Sequence, residues 1–179
     1  MQVIDLRLSG LKKVTPRLFE DERGFFFESY RQPLYVAEGM PVFVQDSSSF
    51  SRRGTVRGLH FQSSPGQAKL VSCLSGVIWD VAVDLRLGSP TFGQWEAIEL
   101  DGVKHEQLFI PVGFAHGFCV LSDGARVHYK LSSIYEPTTE CTIRWNDPDL
   151  AIPWPVCEPI VSLRDQNAPF FKGVLCNFG

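Results

Sequence analysis

The chain has 179 residues, 44% hydrophobic and 21% charged, an ordinary globular balance that suits one domain with a real core. A net charge of -3 gives no basic footprint for nucleic acid, so an anionic substrate would need a local arginine or lysine cluster. No apolar run reaches membrane-spanning length, and "MQVIDLRLSG" carries Asp5 and Arg7 inside its apolar stretch, so neither a signal peptide nor a membrane span is expected.

In chain order, "DERGFFFESY" reads as a turn followed by an apolar strand, and "PLYVAEG" (33–39) as a helix opening at Pro33 and stopping at Gly39. "RGLHFQ" (57–62) reads as a strand that carries Arg57 and His60. If Gly58 marks a bulge, Arg57 and His60 face one cavity despite their spacing. The turn "SSPGQ" then predicts a hairpin that pairs this strand with the one carrying Lys69. "VIWDVAVDLR" alternates strictly and predicts a strand with one buried face, formed by Val77, Trp79, Val81, Val83 and Leu85. "TFGQWEAIEL" and "QLFIPV" add short strands. In "GFAHGFCVLS", Phe114, His116, Phe118 and Val120 share a face; in "RVHYKL", Val127, Tyr129 and Leu131 do. Turn signals recur at intervals of roughly ten to twenty residues, which favours an all-β barrel or sandwich. The proline-rich stretch from "NDPDLAIPWP" onward is expected to wrap the barrel, carrying Asp165 in "LRDQNAP" to wherever it ends. No internal repeat or linker interrupts the chain.

The five cysteines (73, 119, 141, 157 and 176) are odd in number and form no CxxC pair. Reduced thiols in a cytosolic protein are expected. No HxH pair occurs and no cysteines have zinc-ligand spacing, so no metal is expected. Phosphate-loop, GxGxxG and GxSxG patterns are absent. Phosphates would therefore have to meet side chains, with Arg23, Arg57 and Lys69 as the candidates, while Phe26 offers a ring for stacking on a base.

His116 shares a face with three apolar side chains and reads equally as a core histidine satisfied by one hydrogen bond. His60, Lys69, Tyr129 and Asp165 have the chemistry for proton abstraction beside a carbonyl. A histidine takes the proton, a carboxylate orients it, a lysine holds the enolate oxygen and a tyrosine returns a proton. Spacing alone does not single this set out from ordinary structural residues.

Eight stretches, "DERGFFFESY", "FVQD", "VRGLHFQ", "QAKLVSCLSGVIWDVAVDLRLGSPTFGQW", "IPVGFAHGFCVLS", "YKLSSIYEP", "IRWNDPDLAIPWP" and "SLRDQNAP", follow the order and spacing of the dTDP-4-dehydrorhamnose 3,5-epimerases. The chain resembles that family from about Arg7 to Pro169. The resemblance implies one domain over 1–179: a cupin-type jelly-roll barrel with a few short peripheral helices, N-terminal strands and a C-terminal wrapping segment. It also implies no cofactor or metal, a cytoplasmic homodimer and a dTDP-linked 4-keto-6-deoxy sugar as substrate. The implied reaction inverts C3 and C5 of dTDP-4-dehydro-6-deoxy-D-glucose on the route to dTDP-L-rhamnose. The alternatives are epimerisation at C3 or C5 alone in another deoxysugar pathway, or a non-catalytic sugar-nucleotide binding module.

By motif, His60 resembles the base, Asp165 its partner, Lys69 the enolate-stabilising lysine and Tyr129 the acid. His116 resembles a substrate contact. Arg23, Phe26, Glu28, Gln45, Ser47, Arg57 and Tyr135 match positions that hold the nucleotide and sugar. Many relatives carry asparagine where Ser47 stands; a serine lacks the amide pair, so that nucleotide contact is lost or bridged by water.

Overall fold

The computed structural model describes residues 1–173 and 178. Cys176, read above as a reduced thiol, lies outside them. Strands are numbered in chain order. The first sheet runs, in space, β1 (Gln2–Asp5), β2 (Lys12–Thr15), β10 (Gln107–Ile110), β7 (Lys69–Ser75), β12 (Gly124–Leu131) and β5 (Gln45–Arg52). The second runs β13 (Glu140–Thr142), β6 (Val56–Gln62), β11 (Phe114–Val120), β8 (Val77–Asp84) and β9 (Trp95–Asp101). β3 (Leu18–Asp21) and β4 (Gly24–Phe27) form a separate hairpin. All these strand pairings are antiparallel.

The two sheets close on each other because each contributes alternate apolar side chains to one shared interior. Val71, Cys73, Leu108, Ile110 and Val127 come from the first sheet, and Ile78, Ala82, Phe114, Phe118 and Val120 from the second. The faces read for β11 and for Val127, Tyr129 and Leu131 of β12 match this packing. The single buried face read for β8 does not. Ile78, Asp80 and Ala82 point into the interior, while Val81 and Val83 face outward beneath the C-terminal segment, where Ile143, Leu150, Ile152 and Trp154 cover them. Both faces of β8 are buried because the chain wraps the barrel, and period two alone cannot register a cover that arrives 60 or more residues later.

Among the described residues two short α-helices sit outside the sheets. α1 (Gln32–Ala37) begins with Pro33 in its first turn and lays Tyr35 over Leu70 and Phe109 on the outer face of the first sheet. α2 (Leu163–Gln166) is capped by Ser162, whose hydroxyl accepts from the Asp165 amide at 3.1 Å. Among the described residues, no helix is long and apolar enough to cross a membrane. Cys73 and Cys119 are buried free thiols, Cys141 is half-buried and Cys157 is exposed.

The predicted hairpin between β6 and β7 is not there. β6 pairs with β11 and β13, while β7 pairs with β10 and β12, so the "SSPGQ" turn carries the chain from one sheet to the other. The Lys69 side chain crosses the interior instead and donates from Nζ to the His60 carbonyl at 3.2 Å.

Gly58 is the irregular point of β6. His116 lies opposite His60 and Phe118 opposite Arg57, so two steps on β11 match three on β6. That one-residue bulge restores parity, and Arg57 and His60 turn to the same side. Gly58 has φ of +126°, and a Cβ there would stand 2.6 Å from the Gly117 Cα. Gly58→Ala is expected to cost at least about 2 kcal/mol, combining backbone strain with overpacking. Urea unfolding measures it, and an unchanged midpoint would refute the bulge as a constraint.

Candidate active site

β6, β7, β11 and β12 bring His60, Lys69, His116 and Tyr129 to one end of the barrel interior, and α2 delivers Asp165 from outside. His60 Nε2 lies 2.8 Å from Asp165 Oδ1, and the Gly58 amide donates to Oδ2 at 3.3 Å. Burial raises the Asp165 pKa, but the hydrogen bond and charge of His60, then the Gly58 amide and Ser162, outweigh it and leave the carboxyl below its usual value. An ionised carboxylate only accepts, so Nε2 carries the proton and Nδ1 keeps a free lone pair. The His60 side chain is 28% exposed while Asp165 is sealed, so this imidazole is held from behind and open in front.

Lys69 is buried. Burial pulls its pKa from 10.5 down to about 8, against the pull of the Glu140 and Asp80 charges. Tyr129 Oη lies 3.0 Å from Ser49 Oγ. Burial pushes its phenol up to about 12, the Ser49 bond opposing, so it is a protonated donor near neutral pH. His116 Nε2 is 2.9 Å from both Asp80 oxygens, and both side chains are buried. Burial lowers the His116 pKa against the Asp80 carboxylate, with Lys69 and His60 adding to the lowering. Its ring meets Tyr129 edge-on at 6.2 Å between centroids.

In front of His60 and Asp165 opens a cleft of about 470 Å³, lined also by Phe50, Ser51, Arg52, Arg57, Ser162 and Arg164. Arg57 Nε donates to Ser51 Oγ at 2.8 Å, and Arg164 pairs with Glu140 Oε2 at 2.7 Å. Three guanidinium groups around one cleft supply the local positive field that the net charge lacks. Lys69, Tyr129 and His116 do not line this cleft; they face the barrel interior beside His60.

The other substrate residues fall into two groups. Gln45, Ser47 and Tyr135 are joined: Gln45 Nε2 donates to Ser47 Oγ at 3.2 Å, and the Tyr135 amide to Gln45 Oε1 at 2.8 Å. Tyr135 Oη donates to Glu140 Oε2 at 2.6 Å, which links them to Arg164. Arg23, Phe26 and Glu28 are not brought to the cleft. Arg23 is 84% exposed at the tip of the β3–β4 hairpin and pairs with Asp21; Phe26 is exposed on the same hairpin; Glu28 pairs with Arg31.

Sequence reasoning passed over Asp80, Ser49, Ser51, Glu140 and Arg164. Asp80 was detectable as an acid in the middle of an apolar strand. Ser49 and Ser51 continue the inward-facing alternation of Gln45 and Ser47 along β5. Glu140 and Arg164 gave no signal, because their pairing exists only once the C-terminal segment has wrapped. Among the described residues, no three His, Cys, Asp or Glu side chains gather as a metal-ligand set.

Comparison with known proteins follows the same lines. The family model described as dTDP-4-dehydrorhamnose 3,5-epimerase matches residues 5–173. The dTDP-4-dehydrorhamnose 3,5-epimerase of Pseudomonas aeruginosa is 50% identical over 179 residues, covering 98% of this chain and 99% of the relative. A dTDP-4-dehydrorhamnose 3-epimerase from Streptomyces niveus is 43% identical, covering 94% and 83%. The crystal structure of dTDP-6-deoxy-D-glucose-3,5-epimerase from Legionella pneumophila, in complex with dTDP-4-keto-L-rhamnose, superposes with a TM-score of 0.92 at 46% identity, covering 96% of this chain and 93% of that one. The two-sheet barrel is therefore the cupin-type jelly roll expected from the motifs.

The buried lysine gives a measurable signature. Its folded pKa near 8 lies below the 10.5 of the unfolded chain, so between these values the unfolded chain binds more protons and stability rises with pH. Below pH 8 the full penalty applies. Lys69→Met is expected to be more stable than the parent at pH 7 by about 1–3 kcal/mol, the gain shrinking as pH rises toward 10.5. Denaturant titrations across pH 6–10 test this, and a destabilised variant at pH 7 would contradict the burial penalty.

Proposed function

The chain belongs to the dTDP-4-dehydrorhamnose 3,5-epimerase family, and on that premise we propose that His60, Asp165, Lys69 and Tyr129 carry its chemistry. The chain is an epimerase. It converts dTDP-4-dehydro-6-deoxy-D-glucose to dTDP-4-dehydro-L-rhamnose in dTDP-L-rhamnose biosynthesis. The observation that supports the residue assignment is the convergence of an Asp165-backed imidazole, a buried ammonium and a half-buried phenol at one end of the barrel.

The 4-keto group acidifies the hydrogens on C3 and C5. His60 Nδ1 takes one as a proton, and the electron pair moves to the ketone oxygen. Asp165 holds the imidazolium so formed. The Lys69 ammonium faces the enolate oxygen in a low-dielectric interior, where one cation weighs more than in water. Tyr129 then gives its proton to the carbon from the other face, and the ketone re-forms. Tyr129 regains a proton through Ser49, and His60 returns its own to solvent across its exposed side. The cycle at the second carbon uses the same groups, and no electron is gained or lost overall. Arg57, Arg52 and Arg164 hold the diphosphate at the cleft mouth, with Gln45, Ser47 and Tyr135 nearby. The free thiols of Cys73, Cys119, Cys141 and Cys157 support a cytoplasmic setting.

The working form is a homodimer in which Arg23 and Phe26 of one copy reach the cleft of the other. Two observations support this. The hairpin that bears them pairs with neither sheet of its own chain, and the outer face of the first sheet leaves Phe50 and Leu74 at 58% and 50% exposure.

In heavy water, the parent enzyme is expected to incorporate deuterium at both C3 and C5 of the keto sugar, as read by proton NMR. Label at one position only would assign a single-carbon epimerase. His60→Asn is expected to lose at least about a hundredfold in turnover while still binding dTDP; parent-like turnover would remove His60 as the base. For the dimer, mixing inactive His60→Asn chains with chains carrying Arg23→Ala and Phe26→Ala is expected to restore about a quarter of the parent sites. No recovery on mixing would exclude a site shared between copies.

A further inference from the structure

β3–β4 is a two-stranded ribbon, a form that is marginal alone in water. Its faces divide cleanly. Phe26 sits opposite Phe19 across the ribbon, with Arg17 stacked on Phe19. Phe25 and Phe27 point the other way, and both meet one side chain from the barrel, His105. The His105 ring lies 4.6 Å from Phe27 at an interplanar angle of 26°, and 4.7 Å from Phe25 at 46°.

His105 is set firmly. It lies in the β9–β10 connection, where its amide donates to the Asp101 carbonyl at 3.1 Å and the Val103 amide to Asp101 Oδ1 at 2.8 Å. The next residue, Glu106, pairs with Lys13 of β2 at 3.0 Å. His105 has φ of +57°, the left-handed region that a non-glycine residue occupies at a cost. That backbone turn aims the ring at the hairpin rather than out into solvent.

We propose that His105 is a positioning residue for substrate binding: by stacking against Phe25 and Phe27 it fixes the β3–β4 hairpin on the barrel, leaving Phe26 and Arg23 presented for the nucleotide. This rests on the reading above that the hairpin holds the nucleotide. The alternation of the "GFFF" run serves both ends, since two rings anchor and the ring between them is left free.

The test uses His105→Asn in the full chain. Asparagine tolerates the left-handed backbone, so the ring is removed and the turn is kept. Hydrogen exchange at the Phe25–Phe27 amides is expected to quicken about tenfold with the barrel strands unchanged. The Kd for dTDP and the KM are expected to rise about three- to tenfold, the scale of one aromatic pair, with kcat changed less than twofold. Phe27→Ala is expected to give the same shifts, and the double variant no more than either alone. Parent-like exchange in His105→Asn would overturn the anchor. Faster exchange with unchanged dTDP affinity would overturn the positioning role, provided that Phe26→Ala weakens dTDP. If Phe26→Ala also binds dTDP as the parent does, the nucleotide role of the hairpin is what fails, while the exchange result still supports the anchor.

Discussion

The carboxylate of Asp165 meets the imidazole of His60 from 105 residues away in the chain, and the rest of the site is arranged around that contact. A buried carboxylate is tolerated only when its lone pairs are filled. Here His60 and the Gly58 amide fill them, and the Ser162 cap fixes the helix that brings the carboxylate in. The helix arrives because Ile152, Trp154 and their neighbours bury themselves against the outer face of the second sheet, over Leu59 and Phe61 of the same strand that carries His60. The apolar wrapping and the delivery of Asp165 to His60 are made by the same C-terminal segment. The bulge at Gly58 completes it, since it puts an amide within reach of Asp165 and turns Arg57 toward the cleft.

The barrel interior mixes two chemistries. Leu108, Ile110 and Phe118 share it with Lys69, Asp80, His116, Tyr129 and the inward serines of β5, and in register Ile110 stands opposite Lys69 and Phe118 opposite Asp80. Burying a lysine and a carboxylate costs several kcal/mol per ion before pairing. The apolar side chains packed around them and the two outer cores offset that cost. Lys69 shows the consequence: among the described residues no carboxylate bonds it directly, which in the proposed reaction leaves its ammonium free to meet a substrate oxygen.

How much of this was legible depended on the range of the interaction. The shared faces of β11 and β12 could be read because a pleated strand turns every second side chain to one side, although β11, like β8, is buried on both faces. The bulge at Gly58 was readable because an arginine and a histidine three apart need one extra residue to share a face. The pairing of β6 with β7 was misread because a turn sequence signals a reversal of direction and not which sheet the next strand joins. The outer cover of β8 and the Glu140–Arg164 pair depend on the C-terminal segment, whose position no local pattern encodes. Arg23 and Phe26 were named from their chemistry and, with Glu28, from motif resemblance, yet within one chain they do not line the cleft of His60, because neither route encodes where the β3–β4 hairpin lies.

Two histidines in this barrel are backed by aspartates at almost the same distance, 2.8 Å for His60 and 2.9 Å for His116, yet they differ in reach. Both imidazoles donate through Nε2 and keep Nδ1 as the lone pair, so tautomer does not separate them. Access does. The His116 side chain is 4% exposed, so a proton taken there would be held away from solvent and would feel the Lys69 charge. His60 opens on the cleft and can exchange its proton with water between turnovers. In the proposed reaction His116, its pKa lowered by burial, is the neutral group that holds the sugar near the Tyr129 phenol. In the proposed reaction the general base must release what it takes, and His60, unlike the sealed His116, opens on the cleft to do so.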